Sequence, residues 1–250
     1  MSGHSHARTI KHQKTITDQK RGQIFSKLAR SIEVAVKEGG PNPETNAKLR
    51  VVLEETKKFN LPKDNIERAI KRGTGELAGE KLEEVLFEAY GPGGIAIIVE
   101  GITDNKNRAL GEIKQTLNQN NGKLVGEGSV KWMFKRRGCL LVSSKAQNEE
   151  FKDKEKLEMA AIEAGAENLY WHNELLDVYT KIEDLEKVKE NLELKGIKID
   201  STSLDWVPKE TIELDEKNKE ACRKLFESLD ENEAVQEIYS NMKLSQNESE

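Results

Sequence analysis

Apolar residues recur at helical spacing over the first seventy positions, and at the spacing of strands over much of the remainder. From Gln23 to Lys37 the apolar positions Ile24, Leu28, Ile32, Ala35 and Val36 fall on one face of a 3.6-residue period, so one amphipathic helix is predicted, stopped by Gly39-Gly40-Pro41. A second is predicted from about Glu44 to Phe59 on the stripe Leu49, Val52, Leu53, Thr56 and Phe59. The third follows Leu61-Pro62 and ends before Gly73, with Ile66, Ala69 and Ile70 facing inward.

After Gly73-Thr74-Gly75 the period changes. Val85–Tyr90 and Ile95–Glu100 are expected as strands joined by Gly91-Pro92-Gly93-Gly94, followed by a polar helix at about 105–120 and a third strand within Lys123–Phe134. Residues 139–207 repeat the alternation: strand Cys139–Ser143, helix Lys154–Ala164 closed by Gly165, strands Leu169–His172 and Leu175–Thr180, helix Ile182–Leu194, then extended chain over Ile197–Val207. A short strand from Ile212, a helix near Glu216–Leu229 and a strand around Val235–Tyr239 complete the set. That last stretch is too small to fold alone and supplies what the 85–134 unit lacks. The expected class is therefore α+β with three domains: a basic helical domain at 1–78, a discontinuous α+β domain from 79–135 and 208–244, and an α+β domain at 136–207 inserted into it. Residues 245–250 are expected to form a disordered polar tail.

Composition sharpens this reading. At 250 residues, with 34 % charged and 36 % hydrophobic residues, several small cores fit better than one large one. No apolar run approaches the roughly 20 residues of a membrane span, and the polar, basic N-terminus lacks a signal-peptide core, so a cytoplasmic protein without membrane contact is expected. Cys139 and Cys222 lie far apart with neither metal-ligand nor redox spacing, and are read as reduced and structural.

Charge changes the picture most. Residues 1–73 hold 16 Lys+Arg against 8 Asp+Glu, whereas 74–250 hold 24 against 37, so a chain of net charge −5 carries a +8 head on a −13 body. Within the first thirty residues only Asp18 opposes seven cations. Such a head is the footprint of a surface that meets polyanions. Lys11, His12, Lys14, Lys20, Arg21, Lys27 and Arg30 lie on its arm and first helix, where cations can order on phosphates by releasing counterions. Arg68, Lys71 and Arg72 share a face of the third helix, with Lys63 at its start. For Lys71 and Arg72 a competing duty is stabilisation of the helix C-terminus, and Glu67–Lys71 has the spacing of an ordinary ion pair.

The remaining motifs exclude more than they propose. Gly91-Pro92-Gly93-Gly94 is not a phosphate-binding loop, because no Gly-Lys-Ser/Thr follows and the next element is a strand. It fits either a connector between strands or a presented loop. Thr103-Asp104-Asn105 has the character of a helix N-cap, with Lys106 and Arg108 on the first turn. His4, His6 and His12 have no carboxylate or thiol companions and define no metal site. No Ser/His/Asp spacing, HExxH or dinucleotide fingerprint is present, so neither an enzyme nor a cofactor is expected.

Several segments carry a resemblance: Gly3-His4-Ser5, Ile10-Lys11-His12, Lys20 to Phe25, Pro62 to Gly73, Tyr90 to Gly94, Thr103-Asp104-Asn105 and Gly128-Ser129-Val130. Together they resemble the YebC/PmpR family, which includes the mitochondrial translational activator of cytochrome oxidase. The resemblance implies three domains, the third inserted into the second and both of these ferredoxin-like. It also implies one of two functions, DNA-binding transcriptional regulation or ribosome-associated help for translation through difficult sequences such as proline runs. Under it the Gly91–Gly94 loop, with Asn105 and Arg108, becomes a surface presented to RNA. The chain departs from the family pattern at His6-Ala7, where Lys-Trp is usual, and at Ala109, where Thr is usual, and the first change removes a base-stacking side chain. The leading expectation is a monomeric, non-enzymatic factor that binds ribosomal RNA or tRNA on the ribosome. A regulator bound to promoter DNA, a protein-interaction adaptor and a metal-dependent nuclease are the alternatives.

Overall fold

The computed structural model describes residues 18–243, with side chains from Arg21 onward. Among the described residues three helices come first: α1 (Asp18–Gly39), α2 (Ala47–Lys58) and α3 (Lys63–Gly73). Their inward faces close over a core of Ile24, Leu28, Ile32, Ala35, Val36, Leu49, Leu61 and Ala69, the positions that the apolar period marks for α1 and much of the rest. Helix α2 begins later than Glu44 because Asn46 caps it. The Asn46 side chain accepts from the Leu49 amide at 3.0 Å and donates to the carbonyls of Ala35 and Gly40 at 2.7 and 2.8 Å, tying the end of α1 to the start of α2.

Two four-stranded antiparallel sheets follow. The first is built from β1 (Glu83–Tyr90), β2 (Ala96–Thr103), β3 (Lys123–Val125) and β8 (Val235–Ser240), in the order β3-β1-β2-β8. Helix α4 (Lys106–Gln119) joins β2 to β3, and α7 (Glu216–Asp230) precedes β8. The second sheet comprises β4 (Phe134–Ser143), β5 (Asn168–His172), β6 (Leu175–Thr180) and β7 (Ser201–Pro208), in the order β5-β6-β4-β7, with α5 (Lys154–Ala164) and α6 (Leu185–Leu194) as its crossovers. Its chain path is the split β-α-β-β-α-β arrangement of ferredoxin-like folds. The first sheet has the same lateral layout by a different path, since the strand that would come third there comes first. Sequence separation makes the insertion plain, because every strand of the second sheet lies between β3 and β8 of the first.

By compactness the described residues form two units, one of 18–132 with 214–240, the other of 133–213 with 241–243. Within the former, α1 is fastened to the turn between α7 and β8. Lys27 Nζ reaches both the carbonyl and the carboxylate of Asp230 at 2.7 and 2.8 Å, and Arg30 bonds the Glu233 carbonyl at 2.7 Å and its carboxylate at 3.1 Å. Val34, Leu82 and Ile102 form a small apolar contact in the same unit. In the other unit, Leu140, Val142, Leu176 and Val178 of the sheet pack on Leu157, Ala161, Val188 and Leu192 of α5 and α6.

The third strand expected within Lys123–Phe134 is present as Lys123–Val125; pairing stops there, and a new strand begins at Phe134 in the other sheet. Between them the amides of Gly128, Val130 and Lys131, which a strand ladder would have used, turn inward to one carboxylate, that of Glu88. The short strand expected from Ile212 is reduced to a single parallel bridge to Met242.

Candidate nucleic-acid interface

Helix α3 presents the best-defined cationic surface. Pro62 starts it, Ala69 and its neighbours anchor its inner face, and Arg68, Lys71 and Arg72 emerge exposed, as does Lys63. Its position on α1 depends on Gly73, where an added Cβ would stand 2.7 Å from the Glu33 carbonyl oxygen and from Val36 Cβ. No Glu67–Lys71 ion pair forms, and neither Arg68 nor Lys71 pairs with an acid among the described residues. The last carbonyls of α3 are already occupied, Ile70 by the Thr74 amide, Lys71 by the Thr74 hydroxyl and the Leu77 amide, and Arg72 by the Gly75 amide. Hydrogen-bonded capping therefore leaves the Lys71 and Arg72 heads without that task. Arg72 has an electrostatic partner in Glu33. Burial raises the Glu33 pKa above the ordinary carboxylate value, Arg72 pulls it down, Glu80 pushes it up again, and the net direction is upward.

The first helix divides its cations. Arg21 is exposed and makes no ion pair among the described residues, whereas Lys27 is 7 % exposed and Arg30 half-buried, both committed to the α7–β8 turn. Lys27 and Arg30 thus leave the set of cations open to phosphates, because their charge holds the helical region onto the sheet. Lys11, His12, Lys14 and the Lys20 side chain lie outside the described residues.

Two other predicted groups have folding duties. The Asn105 side chain accepts the Arg108 amide at 3.1 Å as the α4 N-cap, and the Arg108 guanidinium pairs with Asp104 and, at 4.0 Å, with Glu112. Gly91-Pro92-Gly93-Gly94 forms a tight turn in which Gly93 takes φ 71°, and its added Cβ would stand 2.5 Å from Leu214 Cδ2. Both the backbone conformation and the close approach demand glycine there. The Cys222 thiol, pushed by burial up to about 12 and so an inert neutral group, lies 3.5 Å from the Pro92 carbonyl. The fold does not bring these two groups together. They stand at opposite ends of the eight-residue β2, roughly 25 Å apart at a strand's rise per residue.

Two residues escaped the sequence reading. Glu88 is 2 % exposed within β1 and accepts the amides of Gly128, Val130 and Lys131 at 2.6, 2.6 and 2.8 Å. Burial alone would raise its pKa, but the three amides and the Lys131 charge outweigh it and hold the carboxyl below its usual range. The signal was a carboxylate between Phe87 and Ala89, within the otherwise apolar run Val85–Tyr90. Trp132, at the end of the loop that Glu88 holds, is 63 % exposed. Among the described residues no group of three His, Cys, Asp or Glu side chains could hold a metal ion, and no helix is long and apolar enough to cross a membrane.

Comparison with known proteins covers almost the whole chain. Residues 5–76 match the family description "TACO1/YebC protein N-terminal domain", and residues 82–242 match "TACO1/YebC second and third domain". A protein from Caldanaerobacter subterraneus subsp. tengcongensis is 47 % identical over 244 residues, covering 98 % of this chain and 99 % of that one. One from Halothermothrix orenii is 46 % identical over 242 residues, covering 96 % and 94 %. A third, from Geobacter sulfurreducens, is 42 % identical over 250 residues, covering 100 % and 99 %. All three bear the name probable transcriptional regulatory protein. The crystal structure of the conserved hypothetical protein Aq1575 from Aquifex aeolicus is similar with a TM-score of 0.84 and 42 % identity, covering 92 % of this chain and 94 % of that one. Two family descriptions that follow one another along the sequence, and identity sustained from end to end, make the chain a member of the TACO1/YebC family.

Proposed function

We propose that this chain is a non-enzymatic nucleic-acid-binding regulator of gene expression, acting in the cytoplasm as a monomer on ribosomal RNA or tRNA at the ribosome. The observation that carries the reading is the exposed cationic face of α3, where Arg68 and Lys71 lack acidic partners among the described residues. Arg21 and the arm cations Lys11, Lys14 and Lys20 extend the same charge along the chain. Contacts of this kind read phosphate and position the protein without selecting sequence.

The names of the relatives favour a second reading, a transcriptional regulator on promoter DNA. That function needs base-edge contacts worth at least about 10³-fold over random sequence. The two readings part in one experiment. Co-sedimentation with ribosomes and binding to labelled RNA and duplex DNA are measured across a salt series for the wild type, for R68E/K71E, and for K11E/K14E/K20E/R21E. The ribosomal reading expects co-sedimentation to be lost in both variants and affinity to fall steeply with salt, each lost phosphate contact reducing the log–log slope by about 0.7 to 0.9. Unchanged sedimentation of both variants would remove the reading. A promoter duplex preferred about a thousandfold over random DNA would replace it with the second.

A further inference from the structure

Trp132 stands largely open to solvent at the end of an ordered turn. Its indole N–H donates to the Ser129 carbonyl at 3.0 Å, so the polar edge of the ring is satisfied within its own turn. The turn itself is fixed from below. Glu88, buried in β1, takes the amides of Gly128, Val130 and Lys131, and the Ser129 amide bonds the Gly126 carbonyl at 3.2 Å. A large aromatic ring 63 % open to solvent on a loop tied by a buried charge is pre-organised for a contact, with little ordering left to do on binding.

The same bonds say what kind of contact. A glycine-containing loop with several free amides would cradle a phosphate, but here three of those amides point inward to Glu88, so the loop does not offer an anion nest. A tryptophan that anchors in a protein pocket commonly brings its N–H as a polar handle, and this one is already spent. What remains is a flat π-face beside Lys131. We infer that Trp132 is a stacking platform for an unpaired nucleobase, so that single-stranded RNA is bound by phosphate contacts on the α3 surface and by base stacking at the Glu88-held loop. The inference rests on the nucleic-acid-binding reading above and adds a preference for single strands to it, since every base has a face to stack but a paired one is covered.

The test uses the full chain and two probes, a fluorescently labelled 12-nucleotide single-stranded RNA and a 12-base-pair RNA duplex. Replacing Trp132→Ala is expected to weaken the single-stranded probe about tenfold or more, leave the duplex unchanged and keep the salt slope of the wild type. Trp132→Phe, which keeps a smaller ring, is expected to retain most of the affinity. Should the alanine variant not fold, the phenylalanine variant decides through fluorescence: RNA-dependent quenching of indole emission in the wild type must disappear in it. Equal binding of the single-stranded probe by the wild type and W132A, with R68E/K71E weakened, overturns the stacking inference and leaves the broader reading standing. So does the same quenching in wild type and W132F, or a protein crosslink at position 132 that W132A removes while RNA binding is untouched. Failure of the wild type to bind either probe overturns both.

Discussion

Glu88 shows how one side chain can direct a segment forty residues away. It is 2 % exposed within β1, and its buried carboxylate is stable only because three amides and the Lys131 charge compensate the loss of water. Its pKa is lower folded than unfolded, so the unfolded chain binds the proton more readily. The stability it contributes is full above the unfolded value of about 4.3 and is lost as pH falls through the folded one. Substitution by glutamine removes the charge and turns an N–H2 toward backbone donors. E88Q is expected to lose about 2–3 kcal/mol at pH 7 by denaturant titration, with the difference from wild type shrinking as the pH is lowered below 4. A gap that stays constant between pH 7 and pH 3 would mean that the carboxylate charge is not what holds the loop.

Helices place the cationic surface, and their placement turns on small contacts. Gly73 lets the end of α3 lie directly on α1, so the methyl of Gly73→Ala must press on the Glu33 carbonyl and the Val36 side chain. A loss of about 1–3 kcal/mol is expected from the shift in urea midpoint, and the α3 cations should move with it. An unaltered midpoint would show that α3 gives way without cost. These helices were legible because the apolar stripe of α1 depends on neighbours three and four residues apart. The strand break after Val125 was not, because its cause lies in Glu88 and not in the segment itself. Lys27 and Arg30 read as cations open to phosphates for a similar reason: their acceptors Asp230 and Glu233 are 203 residues further along the chain. Trp132 carries no signal in the sequence, because its exposure depends on the loop that Glu88 holds and not on its own neighbours. On the α3 face the order is reversed, as the spacing of Arg68, Lys71 and Arg72 marked it directly and the structure added the occupied carbonyls.

At the scale of the molecule, the insertion has a physical signature beyond sequence order. The strands that enter and leave the second sheet pair with each other, Phe134 opposite Pro208, and the Lys209 amide bonds the Met133 carbonyl at 2.8 Å. Entry and exit therefore lie about 5 Å apart, the distance between paired strands. All four strands, both helices and the core of that sheet lie within residues 134–208. Such a segment is expected to fold without its host, since none of its ladder bonds require residues outside it. A fragment of residues 133–209 is expected to melt cooperatively, with antiparallel α+β circular dichroism and about 3–5 kcal/mol of stability, the range a single core of this size supports. In the reciprocal chain a Gly-Ser-Gly bridge replaces residues 133–209. It retains β1, β2, β3 and β8 with α4 and α7, and it should keep the full affinity of the α3 surface for duplex RNA, since Arg68 and Lys71 are untouched. A fragment without a cooperative transition would show that the second sheet needs its host to fold. A bridged chain that folds but no longer binds would instead move part of the phosphate contact into the inserted segment.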